Sequence, residues 1–130
     1  MSFMSEKDEV MLTNGQKMAR AAFTAVKKVC AGGKYEDYKR FALSFPCLIH
    51  SCGLVQAATF ADAKGQTKYL EGLQEVLQNV ETGCSDDLVK SAREADLKEY
   101  MRLSRRALEA AAWIKRCCES LDGAENGGPR

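Results

Sequence analysis

The sequence predicts an all-α protein, a single compact bundle of about five to six helices closed by a long C-terminal helix. Three observations carry the prediction. Apolar residues recur at the three- and four-residue spacing of helices along most of the chain. No stretch alternates apolar and polar residues with the period of two that a strand shows. The 130-residue length, 45% hydrophobic composition and two prolines, Pro46 and Pro129, suit one folded core and argue against disorder.

Each helix has its own signal. Over Gln16–Cys30, Met18, Ala19, Ala22, Phe23, Val26, Val29 and Cys30 mark an apolar side. Lys17, Arg20, Thr24, Lys27 and Lys28 fall opposite them. Gly32-Gly33 ends this helix, and its start has two readings. Thr13 caps it, or an earlier helix from about Ser5 passes through Asn14-Gly15. A short second helix is expected over Tyr35–Ala42. Phe45, directly before a proline, is pushed out of helical geometry, and Pro46 opens a third helix reaching Ala63. That helix is apolar on nearly every side, which places it at the core. Gln56 within it then needs a buried hydrogen-bond partner, and Gly53 implies close approach of another helix.

A fourth helix spans about Gln66–Val80, with Tyr69, Leu70, Leu73, Val76 and Leu77 inward. Thr82–Ser85 reads as a loop and Asp86–Arg93 as a short helix begun by a Ser-Asp-Asp cap. The last helix, from about Glu94 to Leu121, carries the stripe Leu97, Tyr100, Leu103, Ala107, Ala110, Ala111, Ile114, Cys118 and Leu121. Residues 1–121 thus form one helical domain whose boundary within residues 1–12 stays open. Residues 122–130 are polar, glycine-rich and expected to be a disordered tail.

The composition narrows the function. The N-terminal residues MSFMSEKDEV do not form a signal peptide, and no apolar run approaches a membrane span, so a cytoplasmic protein without membrane partners is expected. Six cysteines, Cys30, Cys47, Cys52, Cys84, Cys117 and Cys118, form no Cys-x-x-Cys pair. They read as mostly buried thiols rather than metal ligands or disulfides, and no cofactor or metal is expected. The one histidine, His50, reads as a core or boundary residue, which leaves little for acid–base chemistry. No phosphate loop or nucleophile elbow occurs, and Asp86-Asp87 reads as a cap. No catalytic residue is assigned.

Charge is the stronger signal. The net charge is +1, but residues 17–40 hold seven basic against two acidic side chains, and residues 101–118 hold five against one. Residues 66–100 hold four against eight. If the two basic segments meet in space, they form one positive face. On the last helix Lys98, Arg102, Arg105, Arg106 and Arg116 share the sector opposite the core stripe, with Lys115 beside them in sequence. Together with Lys17, Arg20, Lys27 and Lys28 they are the candidate contacts for phosphates, which arginine pairs with bidentately. Trp113 falls among these arginines, and is either packed against a neighbouring helix or presented to a partner or a base. Met101 and Leu108 form a further apolar stripe; with Trp113 they are the candidate protein contacts.

Two segments resemble a known family. SFPCLIHSCGLVQAATFADAKG is similar to the signature of the small helical subunit of type III-B CRISPR effector complexes, the Cmr complexes. Its proline-opened helix is matched by Pro46, Leu48, Ile49, Gly53, Leu54, Gln56, Phe60 and the stop Lys64-Gly65. EYMRLSRRALEAAAWIKR is similar to the family's last helix through Ala107, Leu108, Trp113, Lys115 and Arg116. The cysteine-rich core, the GQTKYL segment and the acidic first ten residues depart from the pattern. The resemblance implies a non-catalytic subunit working in antiviral defence. It implies copies stacked as a filament beside the backbone and large subunits, touching guide RNA and target RNA through basic residues. The alternative is a helical protein–protein interaction module that never meets nucleic acid, and a thiol-based metal or redox protein is a third reading.

Overall fold

The computed structural model describes residues 11–33, 35–80 and 87–125, which form six helices. They are α1 (Asn14–Gly32), α2 (Tyr35–Cys52), α3 (Leu54–Ala63), α4 (Thr67–Gln78), α5 (Leu88–Glu94) and α6 (Leu97–Glu125). The all-α bundle with a long last helix is the fold the sequence predicts. The alternative helix from Ser5, the Thr82–Ser85 loop, Asp86 and Cys84 lie outside the described residues.

The start of α1 is settled by Thr13. Its hydroxyl accepts from the Gln16 backbone N–H at 3.0 Å, and the Gln16 side chain accepts from the Thr13 N–H at 2.9 Å. This reciprocal box satisfies two donors that a helix end leaves orphaned. Gly33 stops the helix at φ 87°, a left-handed conformation that suits glycine.

The boundary between the second and third helices differs from expectation. α2 does not end before Pro46 but runs through it to Cys52. Its buried residues Tyr38, Ala42, Phe45 and Ile49 keep one uninterrupted helical stripe across the proline. Burial of that stripe outweighs the ~3 kcal/mol that an interior proline costs. The chain breaks instead at Gly53, with φ 84°. Tyr100 of α6 reaches this break, and its hydroxyl accepts from the Val55 N–H at 3.1 Å, satisfying an orphan donor of α3. A Cβ at Gly53 would stand 3.3 Å from that hydroxyl. Gly53→Ala is therefore expected to cost about 2 kcal/mol, from the left-handed backbone and the displaced tyrosine. Denaturant unfolding measures it; an unchanged midpoint would contradict the account.

α3 buries Leu54, Ala57, Ala58 and Ala61, but Gln56 is exposed and needs no buried partner. The helix is not enclosed on every side as expected, for Val55 is half-buried and Phe60 is 43% exposed. α4 places Tyr69, Leu70, Leu73, Val76 and Leu77 in the core as expected, and adds Gly72. A Cβ on Gly72 would stand 3.3 Å from the Ala25 Cβ of α1 and 3.5 Å from the Tyr38 hydroxyl, so this glycine sets how closely α1 and α4 approach.

Asp87 caps α5 by accepting from the Lys90 N–H at 3.1 Å, and Gln74 of α4 accepts from the Leu88 N–H at 2.7 Å. The last helix begins later than expected. Ala95 is extended, and Asp96 accepts from the Glu99 N–H at 2.9 Å as the cap of α6. Leu97 consequently falls in the first turn and is 74% exposed rather than part of the core stripe. Tyr100, Leu103 and Leu121 are half-buried, and Ala107, Ala110, Ala111, Ile114 and Cys118 are buried as expected. The helix continues past Leu121 to Glu125, so residues 122–125 are helical rather than part of a tail, and residues 126–130 lie outside the described residues.

The thiols are a correction. Cys117 and Cys118 are buried and Cys52 is half-buried, but Cys30 and Cys47 are exposed. Cys47 lies about 180° round α2 from Tyr38, opposite the buried stripe, and Cys30 falls at the edge of the apolar stripe of α1, where side chains reach solvent. Phe23, expected on the apolar side of α1, is 43% exposed for the same reason. His50 is likewise exposed rather than a core or boundary residue.

Candidate nucleic-acid interface

α6 packs most extensively against α1 and α2, and α1 packs also against α4. The two positively charged segments therefore meet as neighbouring helices. The reason is their apolar stripes. Met18, Ala22 and Val26 of α1 are buried in the same core cluster as Ala110, Ile114 and Cys118 of α6. With those faces inward, the opposite, basic sectors turn outward.

On α1, Arg20, Lys27 and Lys28 are exposed and Lys17 is half-buried. Lys27 lies over the exposed Phe23 ring at 5.5 Å, a cation–π contact that covers part of the apolar surface. Lys28 leans the other way, 3.6 Å from Glu75 of α4, at the border with the acidic part of the chain. On α6, Lys98, Arg102, Arg105 and Arg116 are exposed and Arg106 is half-buried, all in one sector. Lys115 does not join them. One position before Arg116, it sits about 100° round the helix, on the side of Met101 and Leu108. Met101 is exposed and Leu108 half-buried, and with Leu97 they make an apolar strip beside the arginines.

Two of the arginines hold carboxylates on their own helix. Arg102 donates to Glu99 at 2.7 Å and Arg106 to Glu109 at 3.3 Å. Exposed pairs of this spacing contribute only about 0.3–0.5 kcal/mol. A phosphate can therefore displace them. The pairs orient the guanidinium groups without committing them.

Trp113 combines both readings of the sequence. It is half-buried and packs on the core, and it faces the arginines. The Arg116 guanidinium lies over its ring at 5.3 Å. Trp113 also lines a groove of about 370 Å³ between the first turns of α1, with Asn14, Gly15 and Met18, and the middle of α6, with Arg106 and Arg116. Sequence reasoning missed the α1 side of this groove. Asn14 and Gly15 looked like a weak point in a helix, and only the docking of α1 onto α6 makes them a wall.

Among the described residues, no group of three or more His, Cys, Asp or Glu side chains is placed to hold a metal ion, and no helix is long and apolar enough to cross a membrane.

Comparison with known proteins agrees with this architecture. Two curated relatives are both described as "CRISPR system Cmr subunit Cmr5". One, from Thermus thermophilus, is 33% identical over 111 residues, covering 85% of this chain and 97% of that protein. The other, from Thermotoga maritima, is 30% identical over 117 residues, covering 88% and 89%. A crystal structure of a CRISPR-associated Cmr5 family protein from Thermus thermophilus superposes with a TM-score of 0.75 at 34% identity, covering 85% of this chain and 98% of that one. Residues 14–121, from the first residue of α1 to the point where the expected core stripe of α6 ends, match the family CRISPR-associated protein (Cas_Cmr5), and the chain belongs to that family.

Proposed function

We propose that this chain is a small, non-catalytic subunit of a Cmr-type CRISPR effector complex in the cytoplasm and contacts RNA phosphates through the joint face of α1 and α6. The observation that carries the reading is the docking of the two positively charged helices against each other with their Lys and Arg side chains outward. Family membership supports the Cmr setting, since both relatives are described as subunits of that system.

In such an assembly, base pairing between guide and target supplies sequence specificity. The small subunit then needs only backbone contacts. Its exposed strip of Leu97 and Met101 supports contact with a neighbouring subunit or a second copy, and stacked copies on one strand gain avidity. The same strip favours the protein-only alternative, so the experiment must separate them. Binding of the full chain to single-stranded RNA across a salt series does so. With four to six phosphate contacts, log K is expected to fall against log salt with a slope of about −3 to −4. A slope near zero, or no binding at low salt, supports the protein-only module instead.

A further inference from the structure

The groove at Trp113 has features that phosphate contact alone does not require. Phosphates need exposed cations, and Arg102 and Arg105 provide them on the open surface. The groove adds a concave volume of about 370 Å³, an indole, the half-buried apolar side chain of Leu108 and two arginines at one place. It lies at the small end of the ~300–1,000 Å³ range of ligand pockets, so it suits one flat group and excludes a duplex.

We propose that this groove receives one unpaired nucleobase of the bound RNA. The base stacks on Trp113 or on the Arg116 guanidinium, and Arg106 meets the adjoining phosphate. The inference rests on the RNA-binding reading above and deepens it, because it assigns single-stranded RNA as the preferred ligand of this face.

The chemistry of the lining fits that occupant. Aromatic rings and guanidinium planes are the groups on which proteins stack unpaired RNA bases. Trp113 and Arg116 already lie 5.3 Å apart in that kind of contact. The Asn14 amide donates and accepts, and the Glu109 carboxylate accepts, so both complements of a base edge are present in the lining. Glu109 also holds Arg106 at 3.3 Å, a weak exposed pair that positions the guanidinium at the edge of the groove.

Gly15 is the second mark of a kept space. A Cβ there would meet only the Thr13 hydroxyl, at an ordinary 3.8 Å, and the residue has no left-handed φ. Neither packing nor backbone geometry asks for glycine, which in a helix costs up to about 1 kcal/mol against alanine. A side chain at this position would stand in the groove.

The single tryptophan makes the test direct, because all indole emission reports on this site. The full chain is titrated with a single-stranded RNA and with an RNA duplex of the same length at one salt concentration. Tryptophan emission and anisotropy of the labelled RNA are both followed. The single strand is expected to change the indole emission in step with binding, and the duplex to bind with much less change. Gly15→Leu, which fills the groove and leaves every charge in place, is expected to lower the ratio of single-strand to duplex affinity about tenfold, with a melting temperature no lower than the parent's. Single-strand binding that leaves the emission unchanged, or a ratio untouched by Gly15→Leu, would overturn the inference and leave the phosphate-binding face standing. Failure of both RNAs to bind would overturn the face itself and the groove with it.

Discussion

A variant carrying Arg102→Glu, Arg105→Glu and Arg106→Glu together is expected to lose on the order of 10²-fold in affinity for single-stranded RNA at ~0.1 M salt. The magnitude follows from counterion release. Each phosphate contact on a single strand contributes a salt exponent of about 0.7, so three contacts contribute about 10² at 0.1 M. Charge reversal adds repulsion beyond simple loss. The fold is expected to survive, because Arg102 and Arg105 are exposed, Arg106 is half-buried at the surface, and the pairs that Arg102 and Arg106 make with Glu99 and Glu109 are weak. Circular dichroism establishes helicity, and filter binding or anisotropy measures affinity. The salt slope of the variant is expected to be shallower by about 2, which distinguishes lost phosphate contacts from general unfolding. Intact helicity with unchanged affinity and slope would remove these arginines from the interface.

The largest effect on stability is expected at Tyr69. Its side chain is fully buried, 5.0 Å edge-on to Phe45, 5.2 Å edge-on to Phe41 and 5.7 Å from Tyr38. Tyr69→Ala removes the ring that joins α4 to α2 and leaves a cavity, costing about 3–5 kcal/mol. A domain of this size has only about 5–15 kcal/mol in total, so the variant unfolds at far lower denaturant. Tyr69→Phe has the opposite expected sign. The Tyr69 hydroxyl is buried with no hydrogen-bond partner among the described residues, and its removal relieves a desolvation cost of about 1–3 kcal/mol. Burial raises the Tyr69 pKa well above its usual value, with the nearby Tyr38 adding to the shift. The folded state therefore keeps the phenol protonated where the unfolded chain ionises. Its contribution is complete below pH ~10 and is lost as pH rises beyond that. Tyr69→Phe is expected to reduce this alkaline sensitivity. A phenylalanine variant as unstable as the alanine one would show that the hydroxyl has a partner after all.

Most of the helical architecture was legible because each helix buries a single stripe. α4 follows its spacing residue by residue, α1 does so at Met18, Ala22, Val26 and Val29 but not at Phe23 and Cys30, and Thr13 and Asp87 cap where their side-chain chemistry suggests. The failures share a physical cause. Local rules placed a helix start at Pro46, but the stripe of Tyr38, Ala42, Phe45 and Ile49 continues through it, and burial decided. Asp96 followed by Glu99 carried a capping signal, and the long apolar pattern around it concealed the break. The basic sectors were visible on each helix separately. Their meeting was not, because it depends on which apolar stripes pair across the core. Lys28 shows the cost of reading one helix at a time, since its neighbour is Glu75 of α4 and not the arginines of α6.

Gly72 has a reach beyond its own helix. By letting Ala25 and Tyr38 settle against α4, it sets how closely α1 lies, and α1 carries Lys17, Arg20 and Lys27 of the cationic surface. The position of those side chains thus depends on an uncharged residue of a neighbouring helix. A larger residue at position 72 would meet the Ala25 Cβ and push α1 outward, carrying its lysines with it.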